Sequence, residues 1–253
     1  MRWDPAQYAR YSRQRSRPFF DLTAQVDVES PGTVVDLGCG SGELTVTLAE
    51  RWPSATVRGI DSSAEMIAAA PSAPNVTFAF GTAQDFDATG IDVLISNAML
   101  QWVPEQEKLL VRWCGQLNPG GRLAFQVPAN FDAPSHRLMR ELAGSPTWHD
   151  RLHGVLRGSE AVADPDAYLD LLTRQGLSTD VWQTEYLHVL PGPDPVLDWV
   201  RGTGLRPVLG VLTEAEAIAF STEYAAALRK AYPPQPYGTV FGFTRTFVVA
   251  RKP

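Results

Sequence analysis

The stretch Val34-Val35-Asp36-Leu37-Gly38-Cys39-Gly40-Ser41-Gly42 decides the fold. Val34, Val35 and Leu37, set between Pro31-Gly32 and the first loop glycine, predict a short strand buried on both faces, as in a parallel sheet. The glycines let the backbone turn sharply and come close to a ligand, because no Cβ blocks either move. Residues 43–49 follow with helical spacing, so the loop ends on a helix N-terminus. Strand, glycine loop and helix form the opening unit of a doubly wound sheet, whose ligands sit outside the carboxyl ends of the strands. The expected class is therefore α/β: a Rossmann-like sheet with helices on both faces.

The spacing also bears on the ligand. A dinucleotide fingerprint G-x-G-x-x-G would put its third glycine at position 43, which is Glu43. A carboxylate there repels a pyrophosphate, so a nicotinamide-dependent dehydrogenase is disfavoured. The pattern is instead D-x-G-x-G-x-G. A second strand, 57–61, ends in Asp61, nineteen residues past Gly42. An acid at that distance suits a ribose diol; it also suits a helix cap, with Ser62, Ser63 and Glu65 beside it. A third strand, 76–80, leads into Gly81-Thr82-Ala83-Gln84-Asp85-Phe86. A fourth runs from Asp92 to Asn97, and Leu117-Asn118-Pro119-Gly120-Gly121 precedes a fifth at 122–127.

These five parts, in order across residues 34–127, resemble the class I methyltransferases that use S-adenosylmethionine (SAM). The resemblance implies a cofactor site made by Asp36, Gly38, Cys39, Gly40, Gly42, Asp61, Ser62, Met66, Gln84, Asp85, Phe86 and Asn97. Asp36 would face the ammonium of the ligand's amino-acid end, Asp61 the ribose and Asp85 the adenine amine. Phe86 would lie along the adenine ring, and the strand ending at Asn97 would pass under the sulfonium. Gln101 and Trp102 would lie next to the methyl group, while Val103 reads as core.

Composition bounds the rest. The chain has 253 residues, 44% of them hydrophobic and 20% charged, an ordinary globular composition. No apolar run reaches the ~18 residues of a spanning helix. No secretory signal is visible, and the basic start (Arg2, Arg10, Arg13, Arg15, Arg17) admits a transit peptide as a minor reading. Two cysteines, Cys39 and Cys114, exclude a disulfide framework and a cysteine zinc site. A net charge of −6 disfavours a nucleic-acid partner. The expectation is a cytoplasmic protein without a membrane segment.

The remaining segments read as follows. Trp3-Asp4-Pro5 starts a helix carrying Tyr8 and Tyr11, which Arg15-Ser16-Arg17-Pro18 breaks before a second helix from Phe19. Helices are expected at about 64–70, 105–116, 136–143, 166–175, 193–201 and 213–231, the last with Thr213 and Glu216 as a capping box. Alternation predicts strands at 179–190 and 239–251, the latter with Phe243, Arg245 and Phe247 on one side. His149 and His153 have an i, i+4 spacing that binds zinc elsewhere, but no third ligand is near, so a solvated helix face is expected.

In the second half, Trp182–His188, Trp199–Pro207, Tyr232-Pro233-Pro234 and 243–251 resemble the trans-aconitate methyltransferase family, as do Trp3-Asp4-Pro5 and residues 15–18. That resemblance implies one methyltransferase domain over 1–253, with cap elements at about 1–24, 129–176 and 191–238 over the site. It implies esterification of a carboxylate of trans-aconitate to the monomethyl ester. The partner would be a small tricarboxylate, held through Arg17, Arg206 and Arg245, with Gln101, Trp102, Tyr186 and Trp199 orienting the reacting carboxylate. Arg201 is a weaker candidate. No catalytic acid or base and no metal are expected. The alternatives are another small carboxylate, a hydroxyl acceptor with His136 or His188 as base, or a silent SAM-binding protein.

Overall fold

A computed structural model describes residues 12–253. The readings of Trp3-Asp4-Pro5, Tyr8 and Tyr11 lie outside the described residues. Seven strands form one mixed sheet with helices around it, in the order β3-β2-β1-β4-β5-β7-β6. The strands are β1 Thr33–Leu37, β2 Thr56–Asp61, β3 Val76–Phe80, β4 Val93–Asn97, β5 Arg122–Pro128, β6 Ser178–Leu190 and β7 Thr239–Arg251. The pairs of β1 with β2 and β4, β2 with β3, and β4 with β5 are parallel, and β7 runs antiparallel to β5. Val34, Val35, Val93, Leu94 and Ile95 have no exposed surface, as strands covered on both faces require. β1 lies between β2 and β4, so the order reverses there, and the crevice for a ligand opens at the carboxyl ends of β1 and β4.

The helices are α1 Ser12–Ala24, α2 Glu43–Arg51, α3 Ala64–Ala68, α4 Gln106–Gln116, α5 Pro134–Ala143, α6 His149–Leu152, α7 Pro165–Arg174, α8 Pro195–Arg201, α9 Arg206–Val211 and α10 Glu214–Ala231. One expectation fails here. Pro18 does not divide the first segment: α1 runs through it. Proline removes one backbone bond, but Phe19 and Leu22 are fully buried, and Arg51 donates to the carbonyls of Thr23 and Val26 at the helix end. Arg206 and Pro207, at the end of the Trp199–Pro207 segment, open α9, which buries Val208 and Leu209.

The chain divides into two compact units. The sheet unit holds Ser16–Pro128, Ala161–Thr184 and Arg245–Pro253; the helical unit includes Ala129–Glu160 and Glu185–Thr244. The core of the sheet unit includes Leu37, Leu94, Trp113, Phe125 and Tyr168. α7, expected in the cap, belongs to this unit: Tyr168 is fully buried, packs edge-on to Phe125 with centroids 5.1 Å apart, and donates its hydroxyl to Gln106 Oε1 at 2.9 Å. The core of the helical unit is aromatic, with Trp148, Trp199, Phe220, Tyr224, Phe241 and Phe243. The capping box at Thr213 and Glu216 is formed as expected. Among the described residues no helix is long and apolar enough to cross a membrane.

Candidate active site

The turn after β1 is held by its neighbours before any ligand is considered. Gly38 and Cys39 donate their backbone N–H groups to the Ile60 carbonyl, at 2.7 and 3.1 Å. Gly40 donates to Asp61 Oδ2 at 2.8 Å, and Asp61 Oδ1 accepts from the Ser63 N–H at 2.8 Å. Asp61 therefore ties the ends of β1 and β2 together, and its carboxylate still has acceptor positions for a diol. The helix cap is not Asp61 but Ser63, whose hydroxyl accepts from the Met66 N–H at 3.3 Å. Ser62 beside it is exposed.

Gly40 has φ +58°, and a Cβ built there meets nothing within 4 Å, so its face is open to an approaching group. Gly38 differs: with φ +82°, a Cβ there would lie 2.4 Å from Met99 Cγ. The glycine at 40 leaves room for a ligand and the glycine at 38 leaves room for the protein. Gly42 opens α2 in a left-handed conformation. Cys39 is half-buried, and burial beside Asp36 and Asp61 holds its thiol protonated.

Asp36 is 2% exposed. Its Oδ2 accepts from Thr45 Oγ1 at 2.7 Å, and its Oδ1 is buried with no hydrogen-bond partner. Burial raises its pKa to about 6; the Thr45 hydroxyl opposes this and the Asp61 charge adds to it. An unmatched buried acceptor at the foot of a glycine loop fits a ligand that brings an ammonium group.

The 82–86 turn is the third part. Asp85 and Gln84 are exposed, and Asp85 Oδ2 accepts from Thr82 Oγ1 at 2.7 Å. Phe86 points inward: it is 8% exposed and packs against Trp113, with ring centroids 6.1 Å apart. The turn is clamped by a residue the sequence reading missed. Arg112 on α4 donates from Nη2 to the carbonyls of Ala83, Gln84 and Phe86, at 3.2, 2.7 and 3.0 Å. Nothing in its local sequence marks it out.

At the end of β4 a chain of polar contacts begins. Asn97 Oδ1 accepts from Gln126 Nε2 at 2.6 Å, and Gln126 Oε1 accepts from Arg245 Nη1 at 2.9 Å. Gln126 and Arg245 are 1% and 7% exposed. Gln126 was not anticipated from sequence. Beyond Asn97, Ala98 is held at φ +55°, a strained conformation for alanine that active-site segments often contain. Its carbonyl accepts from Gln101 Nε2 at 2.5 Å. Gln101 is buried and Trp102 is 46% exposed. Val103 packs against the core, as expected.

The other expected substrate residues divide between the units. Arg17, in the sheet unit, pairs with Asp21 one turn on (3.6 Å) on an exposed face. Tyr186 and Trp199, in the helical unit, are 3% and 1% exposed, with His188 stacked between them at centroid distances of 6.2 and 4.8 Å. Arg206 opens α9, is exposed, and has no ion-pair partner among the described residues. His136 is half-buried with Nδ1 3.1 Å from Ser135 Oγ, and burial lowers its pKa to about 4, so it is neutral at pH 7. His149 and His153 are exposed, and no cluster able to hold a metal occurs among the described residues.

This geometry agrees with what the chain resembles. A methyltransferase domain profile matches residues 29–184. Trans-aconitate 2-methyltransferase of Streptomyces avermitilis is 53% identical, over 99% of this chain and 97% of its own. The Mycobacterium tuberculosis protein of the same name is 43% identical, over 98% and 96%. Among solved structures, the plantazolicin methyltransferase BpumL in complex with a pentazolic desmethylPZN analog and S-adenosylhomocysteine superposes with a TM-score of 0.55 at 16% identity, over 98% of this chain and 91% of its own. A Haemonchus contortus phosphoethanolamine N-methyltransferase superposes with the same TM-score at 15% identity; the chain covers 96% of itself but only 53% of that larger protein. The two superpositions show the fold, and the matches in sequence give the family: the chain belongs to the trans-aconitate 2-methyltransferases, enzymes built on the class I methyltransferase fold.

Proposed function

We propose that this enzyme esterifies a carboxylate of trans-aconitate, with SAM as methyl donor and a monomethyl ester as product. The observation that carries the reading is the loop after β1, where an open face at Gly40 and an unmatched buried oxygen on Asp36 meet at the switch point of the sheet. Asp36, the Gly38–Gly42 backbone, Asp61 and the 84–86 turn would hold the cofactor. When bound, SAM supplies a methyl group on a positively charged sulfur.

The acid needs no base to become a nucleophile, since a carboxylate with an ordinary pKa of about 4 is ionised at pH 7. His136, neutral but flanked by the charge of Arg140, is accordingly not required as a base. The task left to the protein is to fix the acid and exclude water, and good positioning is worth about 7–11 kcal/mol of barrier. Arg245, anchored by Gln126, would grip a carboxylate that does not react, leaving the reacting one with free lone pairs. Arg206 is a second available cation, and Gln101 and Trp102 are neutral groups suited to orientation. All 253 residues are read as serving one catalytic domain, in the cytoplasm, with no nucleic-acid partner for a chain of net charge −6.

The test is a transfer assay with methyl-labelled SAM against trans-aconitate, cis-aconitate, citrate and isocitrate. Label in a base-labile ester of trans-aconitate supports the proposal. Turnover on none of the four acids refutes it.

A further inference from the structure

The polarity of the Asn97–Gln126–Arg245 chain is set at one end. A guanidinium carries only donors. Gln126 must therefore turn its Oε1 toward Arg245, 2.9 Å away, which sends its Nε2 toward Asn97. Asn97 must in turn offer Oδ1, at 2.6 Å. That leaves Asn97 Nδ2, on a half-buried side chain at the carboxyl end of β4, as a donor with no protein partner among the described residues. The backbone reinforces the arrangement. Gln126 sits directly opposite Asn97 in the β4–β5 ladder, and its carbonyl accepts from the Ala98 N–H at 3.0 Å. Arg245 reaches the same amide from β7, two residues from Phe247, the antiparallel partner of Gln126.

We propose that Gln126 is a positioning residue that couples the two halves of the reaction: through one buried amide it holds the Arg245 guanidinium and makes Asn97 present its NH2 group to the cofactor. The assignment rests on the reading of Arg245 given under Proposed function and on Asn97 as the cofactor residue that the sequence resemblance implies. Gln126 touches neither reactant in this scheme. Its effect on each passes through a different neighbour, so the two effects are separable.

The experiment uses the neutral, near-isosteric Gln126→Met, which removes both contacts without adding charge. Calorimetry with SAM alone should show binding at least fivefold weaker, because Asn97 is then free to turn. KM for trans-aconitate should rise at least fivefold with a smaller change in kcat, because Arg245 loses its anchor. Adding Gln126→Met to Asn97→Ala should give no further loss of SAM affinity, while KM for the acid still rises. Unchanged SAM affinity in Gln126→Met overturns the assignment, as does a loss of affinity that persists in the Asn97→Ala background. If Gln126→Met does not fold, Asn97→Ala alone decides: a fivefold loss of SAM affinity supports the coupling and no loss overturns it. If the unaltered protein methylates no acid while the calorimetric results hold, the substrate reading fails and the link from Gln126 to Asn97 stands.

Discussion

Thr45 Oγ1 donates to Asp36 Oδ2 at 2.7 Å, and among the described residues this is the one hydrogen bond that the Asp36 carboxylate receives. Burial dominates, raising the pKa to about 6 from 3.8. The folded state thus binds this proton more tightly than the unfolded chain. Its contribution to stability is full below about pH 4 and is lost as pH rises through about 6, a difference on the order of 3 kcal/mol. Asp36→Asn removes the titration. Its unfolding free energy, relative to the unaltered protein, should rise by about 2.5 kcal/mol between pH 4 and pH 7.5. Denaturant titrations across that range check this; a pH-independent difference would mean that Asp36 does not titrate there.

Gly40→Ala separates binding from folding. The new Cβ meets no protein atom, so the folding cost is only that of a left-handed alanine, roughly 1 kcal/mol. The same Cβ enters the space proposed for the cofactor, and SAM affinity should then fall at least tenfold, about 1.4 kcal/mol. Gly38→Ala should show the opposite balance, because its Cβ would collide with Met99. Calorimetry and thermal denaturation on the pair would reveal whether the two losses dissociate.

Arg112→Met keeps the aliphatic stem and removes three contacts to the 83–86 turn. All three come from one nitrogen, so the net loss should be about 1–3 kcal/mol rather than three full bonds. Hydrogen exchange should quicken at residues 82–86, and SAM binding should weaken with it. Unchanged exchange there would show that the turn holds itself.

Arg206→Ala tests the exposed cation at the start of α9. With no ion pair among the described residues to break, stability should change by less than about 0.5 kcal/mol. KM for trans-aconitate should rise at least tenfold, the size of a lost carboxylate contact of roughly 1.5–3 kcal/mol. SAM affinity should not move. Steady-state kinetics with calorimetry on the same preparation distinguish this from general damage.

The periodic parts of the molecule were readable from the amino-acid order. A buried apolar run beside glycines at 38, 40 and 42 can be little else than a strand and a tight turn, and Glu43 disfavoured the pyrophosphate alternative, because these are local constraints on backbone and charge. The capping box at Thr213 follows from the same short-range logic, while Asp36 and Asp61 were marked as site residues by the resemblance of their motifs. Contacts that join distant segments were not readable. Pro18 looks like a helix breaker until Phe19 and Leu22 are seen to be buried, since packing outweighs the loss of one backbone bond. Phe86 turned into the core against Trp113, a residue 27 positions away. Gln126 and Arg112 carry no local signature at all. Their roles arise only where β5 meets β7 and where α4 passes the 83–86 turn, because a hydrogen bond depends on distance in space and the sequence records only distance along the chain.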